Sequence, residues 1–110
     1  MRPRQILLLL LFFMPLAGFA EGTVEPALFQ NNPNPFSGST VIRFTLSEAG
    51  PVRLSVYDLI GHEVACLVDG ELSVGEHAVR FESRDLPDGV YFYRLSAAGF
   101  NKTRICLLLK

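Results

Sequence analysis

No stretch of this sequence keeps a helical period beyond its first twenty residues, and no apolar run is long enough to cross a bilayer. The longest such run, Ile6–Leu16 with its one proline, has eleven residues, against the ~20 that a membrane-spanning helix needs. Cysteine occurs only twice, as Cys66 and Cys106, so one internal disulfide is the most the chain could form; two separate buried thiols are the expectation. The two histidines, His62 and His77, have no metal-ligand spacing to each other or to the cysteines. No D-x-D-x-D-G loop suggests calcium, since Asp58, Asp69, Asp85 and Asp88 all fall at turns, where aspartate has a structural job. No serine sits in a strand–elbow–helix setting, and there is no second domain to form a cleft. The expectation is therefore a protein that is not an enzyme, with no cofactor, no metal and no small-molecule substrate.

What is present begins with an export segment. Arg2 and Arg4 precede the apolar run, and Gly18-Phe19-Ala20 puts small residues at the −3 and −1 positions. Residues 1–20 read as a cleavable secretory signal peptide, cut between Ala20 and Glu21. No cysteine follows the small-residue site, so a lipid-modified start is not expected. Losing Arg2 and Arg4 leaves 8 basic against 11 acidic residues, a net charge of −3. That mild acidity, without a basic stripe, argues against nucleic acid or an anionic membrane as partner. No stable membrane span is expected in the mature form.

Residues 21–39 form a lead in which Asn31-Asn32-Pro33-Asn34-Pro35-Phe36 is the specific part. Each proline fixes its own φ and pushes the residue before it to extended geometry, so a stiff extended stretch with Phe36 as an apolar anchor is predicted. From Thr40 the period is two. Ile42, Phe44 and Leu46 share one face, and Val52, Leu54 and Val56 alternate with Arg53, Ser55 and Tyr57. Asp58-Leu59-Ile60-Gly61 is a four-residue hairpin loop, with Asp suited to open a type I turn and Gly to close it. A returning strand Glu63–Val68 is expected to end at Asp69-Gly70, followed by His77–Phe81 with Val79 and Phe81 facing in. Leu86 is the expected apolar peg of the next connection. Asp88-Gly89 then turns into Val90–Ala97, the densest run of β-formers in the chain. Val90, Leu95 and one of Tyr91 or Phe92 are expected to carry most of the stability. Lys102–Leu109 closes the chain, with Ile105, Leu107 and Leu109 filling the core and Cys106 and Leu108 on the other side.

About six or seven short strands, with a turn signal in every gap, predict an all-β antiparallel sandwich of immunoglobulin or fibronectin-III type over residues 40–110. Asn32-Pro33-Asn34-Pro35-Phe36, Tyr57-Asp58, Gly61-His62-Glu63-Val64, Gly75-Glu76-His77 and Gly89-Val90-Tyr91-Phe92-Tyr93-Arg94-Leu95 follow one another in that order. The series resembles the type A C-terminal sorting domain of type IX secretion cargo, which is related to the immunoglobulin-like domain of flagellar hook-capping proteins. The resemblance implies a non-catalytic domain recognised in the periplasm by an outer-membrane translocon. It also implies a sortase-like protease that removes the domain and joins the cargo to a surface lipopolysaccharide, so that the product travels from periplasm to cell surface or exterior. The last strand is the part such a signal implicates, here Arg104, Leu107, Leu108, Leu109 and Lys110. Two positions depart from the family's usual ending: Ile105 stands where Lys is common and Cys106 where Met or Val is common. About ten residues separate Glu21 from Asn31, so the expectation is a domain without a cargo of its own, either a stand-alone module or a remnant. Two other readings fit the same strands: a hook-cap-like structural module, or a small extracellular adhesion domain marked by exposed aromatics on one sheet.

Overall fold

In a computed structural model, residues 24–110 are described. The expected signal peptide, 1–20, and its cleavage between Ala20 and Glu21 lie outside the described residues. The all-β expectation holds: seven strands form two antiparallel sheets, and there is no helix among the described residues. The strands are β1 (Ala27–Leu28), β2 (Ser39–Leu46), β3 (Gly50–Tyr57), β4 (Glu63–Leu72), β5 (Gly75–Glu82), β6 (Gly89–Ala97) and β7 (Phe100–Leu108). One sheet has the order β1-β2-β5 and the other β4-β3-β6-β7, an arrangement consistent with an immunoglobulin-like sandwich.

Period-two patterning decides which side chains meet between the sheets. Ile42, Phe44 and Leu46 of β2 face Leu54 and Val56 of β3, all at 1% exposure or less. Phe81 joins them from β5, and Val79 and Leu86 pack at the margin of the same core. Asp58 opens the β3–β4 turn as expected, its carboxylate accepting from the Ile60 and His62 amides at 3.1 and 2.9 Å. The Gly61 amide donates to the Asp58 carbonyl, and Gly61 closes the turn at φ 91°, a conformation open to glycine and costly for other residues.

Four expectations need correction. On β6, Val90 and Phe92 lie half-buried on the outer face, while Tyr91, Tyr93 and Leu95 point into the core. Both tyrosines can be buried because each hydroxyl reaches a carbonyl at the rim, Pro87 for Tyr91 and Phe29 for Tyr93. On β7 the phase is reversed. Cys106 and Leu108 are fully buried, whereas Ile105 and Leu109 are about half exposed. The run Ile105–Leu109 is apolar at every position, so alternation cannot set its phase. Register does, by placing Cys106 opposite Tyr91 and Leu108 opposite Gly89. Third, β4 continues through Asp69-Gly70 to Leu72, because Gly50 and Pro51 extend β3 far enough to pair with Leu72 and Glu71. Fourth, the lead is bent rather than extended, with cis peptides before Pro33 and Pro35, and it contributes β1 to the smaller sheet.

Candidate functional site

The lead and the last strand are joined into one structure. Along the edge of β2, the Phe29 amide donates to the Arg43 carbonyl, and Asn32 and Val41 exchange both main-chain bonds at 3.0 Å. The chain then crosses to the other sheet. There the Phe36 amide donates to the Leu107 carbonyl, and the Leu109 amide donates to the Phe36 carbonyl. Segment 27–36 therefore closes one side of the sandwich, covering the free edge of β2 and the C-terminal half of the free edge of β7. Covering an edge removes unpaired main-chain groups that would otherwise invite another strand.

Side chains reinforce this clasp. Asn34 accepts the Leu107 amide on its Oδ1 at 2.9 Å, and Gln30 Nε2 donates to the Ile105 carbonyl at 2.7 Å. From the strand side, Arg104 Nε donates to the Leu28 carbonyl. Beneath them, Asn31 is buried and its Nδ2 donates to the Pro33 carbonyl and to Thr40 Oγ1, while Thr40 Oγ1 donates to the same Pro33 carbonyl. Phe36 fills the core end of the segment against Phe81, their ring centroids 5.5 Å apart. The Tyr93 hydroxyl accepts the Asn31 amide at 2.8 Å and donates to the Phe29 carbonyl at 2.7 Å. Burial pushes the ionisation of Tyr93 up to about 12, despite the opposing bond from Asn31, so the hydroxyl stays a donor at any ordinary pH.

The residues expected to form the sorting signal do not all face the same way. Leu108 is core, Leu107 is half-buried on the outer face, and Leu109 is exposed. Arg104 is half-buried and tied to Leu28, so its cation is part of the clasp. Lys110 is exposed, held by its amide on Asp88 Oδ1 and by its ammonium on the Arg84 carbonyl. Of the motif residues, Asn32, Pro33, Asn34 and Phe36 meet at the clasp, and Pro35 is exposed between them. Tyr93 joins them from β6. Tyr91 and Gly89 lie further along β6, Gly89 at φ 150° where a side chain would be strained. Tyr57, Asp58 and Gly61 stand apart from the clasp, at the β3–β4 turn. Asn31 opens the stretch that the sequence marks out, whereas nothing in the sequence singles out Gln30 beyond its place directly before that stretch.

The cysteines lie on β4 and β7, the two outer strands of one sheet. Three strand spacings separate them, roughly 14 Å, well beyond disulfide reach. Of the two thiols expected to be buried only Cys106 is, and burial pushes its ionisation up to about 11. Cys66 is exposed instead, because it lies on the outer strand β4, away from the face packed between the sheets. His77 stacks on Phe44 and bonds the Ser73 carbonyl, and His62 stands beside Asp58. Among the described residues no helix is long and apolar enough to cross a membrane.

This geometry defines a β-sandwich whose lead is bonded to its own last strand. A family model described as the secretion system C-terminal sorting domain matches residues 32–107, from the first Asn-Pro pair of the clasp to the outer face of β7. The chain belongs to that family. No curated protein and no solved structure matches it.

Proposed function

We propose that this domain is the address read by an outer-membrane translocon of the type IX kind, and that the address is the folded sandwich with β7 held in its clasp. The observation that carries the reading is the family match over residues 32–107. The clasp adds to it, because the family's N-terminal motif and its final strand are here a single bonded unit. In this reading residues 1–20 serve export across the inner membrane, with cleavage between Ala20 and Glu21, and residues 21–39 and 40–110 act together as the sorting domain. A sortase-like protease of the same apparatus then removes the domain and joins any cargo to the surface. The domain itself has no catalytic role.

The test is a reporter fused between a signal peptide and residues 31–110, expressed in a host with a type IX apparatus and assayed by surface proteolysis. Surface exposure is expected for the intact domain and periplasmic retention after deletion of Lys102–Lys110. Exposure that survives the deletion, or that is equal in a host without the apparatus, refutes the reading.

A further inference from the structure

The last strand has three sets of groups to offer, and over its C-terminal half two are already engaged. Its inward side chains Cys106 and Leu108 are buried. Its edge-facing main chain at Ile105, Leu107 and Leu109 is bonded to the lead. What β7 still presents is the outer side-chain face, where Ile105 stands opposite Phe92 and Leu107 opposite Val90. Tyr57 extends the Phe92 row onto β3. The β3–β4 turn adds Leu59 and Ile60, which are 66% and 77% exposed, beside Ile105 at 54%. Contiguous apolar surface of this kind marks a site of protein interaction.

The charge on this face narrows the partner. A recess of about 320 Å³ opens between Tyr57, Asp58, Leu59, Phe92, Arg94 and Thr103, with the Asp58 carboxylate already engaged by the Ile60 and His62 amides of its own turn. Among the described residues Arg94 has no ion-pair partner, whereas Arg53 on the same face is held by Glu63 at 2.8 Å and Asp69 at 3.1 Å. A free guanidinium beside two half-exposed aromatic rings suits a carboxylate carried next to an apolar side chain. We propose that the outer face of β3, β6 and β7 docks an apolar, carboxylate-bearing segment of a secretion-apparatus protein, with its apolar side chains on Tyr57, Phe92 and Ile105 and its acid on Arg94. This rests on the sorting reading above and deepens it, naming the surface that is read and the chemistry of the reader.

Two experiments test it. In the first, the isotope-labelled chain is titrated with a short synthetic peptide of alternating leucine and glutamate, and with its glutamine counterpart. Saturable amide shifts confined to Tyr57, Phe92, Arg94, Thr103 and Ile105 are expected. Binding of the glutamine peptide should be about tenfold weaker, and Arg94→Gln should erase the difference. Equal binding of the two peptides, or shifts centred on the β2–β5 face, overturns the proposal. So does a response to a glucuronate oligosaccharide with none to either peptide, or concentration-dependent shifts on this face without peptide, which would mean that a second copy covers it. In the second, Arg94→Glu and Leu59→Asp are placed in the reporter fusion, each first shown to melt like the parent. A fall in surface display of about tenfold is expected. If deletion of 32–110 abolishes display and these substitutions leave it unchanged, the docking surface fails and the sorting reading stands. If deletion of 32–110 changes nothing, the sorting reading fails.

Discussion

Replacing Tyr93 by Phe isolates the clasp from the packing around it. The ring is fully buried and stays so, and only the hydroxyl is lost. That oxygen serves two main-chain groups of the lead, the Asn31 amide at 2.8 Å and the Phe29 carbonyl at 2.7 Å. The Asn31 amide belongs to a buried residue and the Phe29 carbonyl to an exposed one at the rim. One orphaned buried donor costs about 1–3 kcal/mol, so Tyr93→Phe should destabilise by about 1–3 kcal/mol against the ~5–15 kcal/mol of a typical domain. Urea melts at pH 7 measure it, and a loss below ~0.5 kcal/mol would refute the reasoning. The pH dependence gives a second check. Burial raises Tyr93 ionisation from 10.0 to about 12 in the folded state. Its contribution is therefore complete below pH 10 and is lost as pH rises toward 12, because the unfolded chain releases its proton first. Buried Cys106 adds a similar alkaline loss in both proteins, between 9.0 and about 11. The stability gap between parent and Tyr93→Phe should accordingly narrow from pH 10 to pH 12. A gap constant over that range would mean that Tyr93 is not held protonated by the fold.

The reversed phase of β7 is tested by a pair of neighbours: Leu108→Ala should cost about 2–5 kcal/mol, while Leu109→Ala should stay within about 0.5 kcal/mol, both read by urea melts. The same comparison on β6 should find Leu95→Ala far more costly than Phe92→Ala, since only Leu95 is in the core. Thiol titration should count one reactive cysteine in the native protein, Cys66, and two in denaturant; none in denaturant would mean a disulfide. Asn34→Ala should leave the fold intact and speed hydrogen exchange at the Leu107 amide, which measures the edge cover directly.

Much of the sandwich was legible because its first strands alternate cleanly. Ile42, Phe44 and Leu46 are separated by polar or small residues, so burial of one face followed from period two alone. The same held for Val52, Leu54 and Val56, and for the Asp58–Gly61 turn, whose chemistry is local. Legibility failed where every position is apolar. Val90-Tyr91-Phe92-Tyr93 and Ile105–Leu109 offer core-worthy side chains to both faces, and there the pairing register decides. The clasp was only half visible. Pro33 and Pro35 announced a constrained stretch, but they do not say which strand it serves. Tyr93 and Leu107, which tie it down, lie 62 and 73 residues away from their partners. No local pattern carries a bond over such a distance.

That separation also bears on how a C-terminal address can work. The bonds of the clasp join the two ends of the domain: Arg104 to Leu28 across 76 residues, and Gln30 to Ile105 across 75. Such contacts repay the entropy of closing the chain only once the intervening sandwich has formed. The edge of β2 waits for the lead, the lead waits for Tyr93, and Phe36 waits for Leu107 and Leu109 at the extreme end. A reader that requires β7 clasped in this way reads a domain that is complete, whereas an unfolded C-terminal peptide with the same residues lacks both the covered edge and the outer face of β3, β6 and β7. Hydrogen exchange at Phe36, Leu107 and Leu109 in Tyr93→Phe separates the two ideas. If those amides open together when the Asn31 bond is cut, the clasp is one cooperative unit, and the address is a folded object rather than a string of residues.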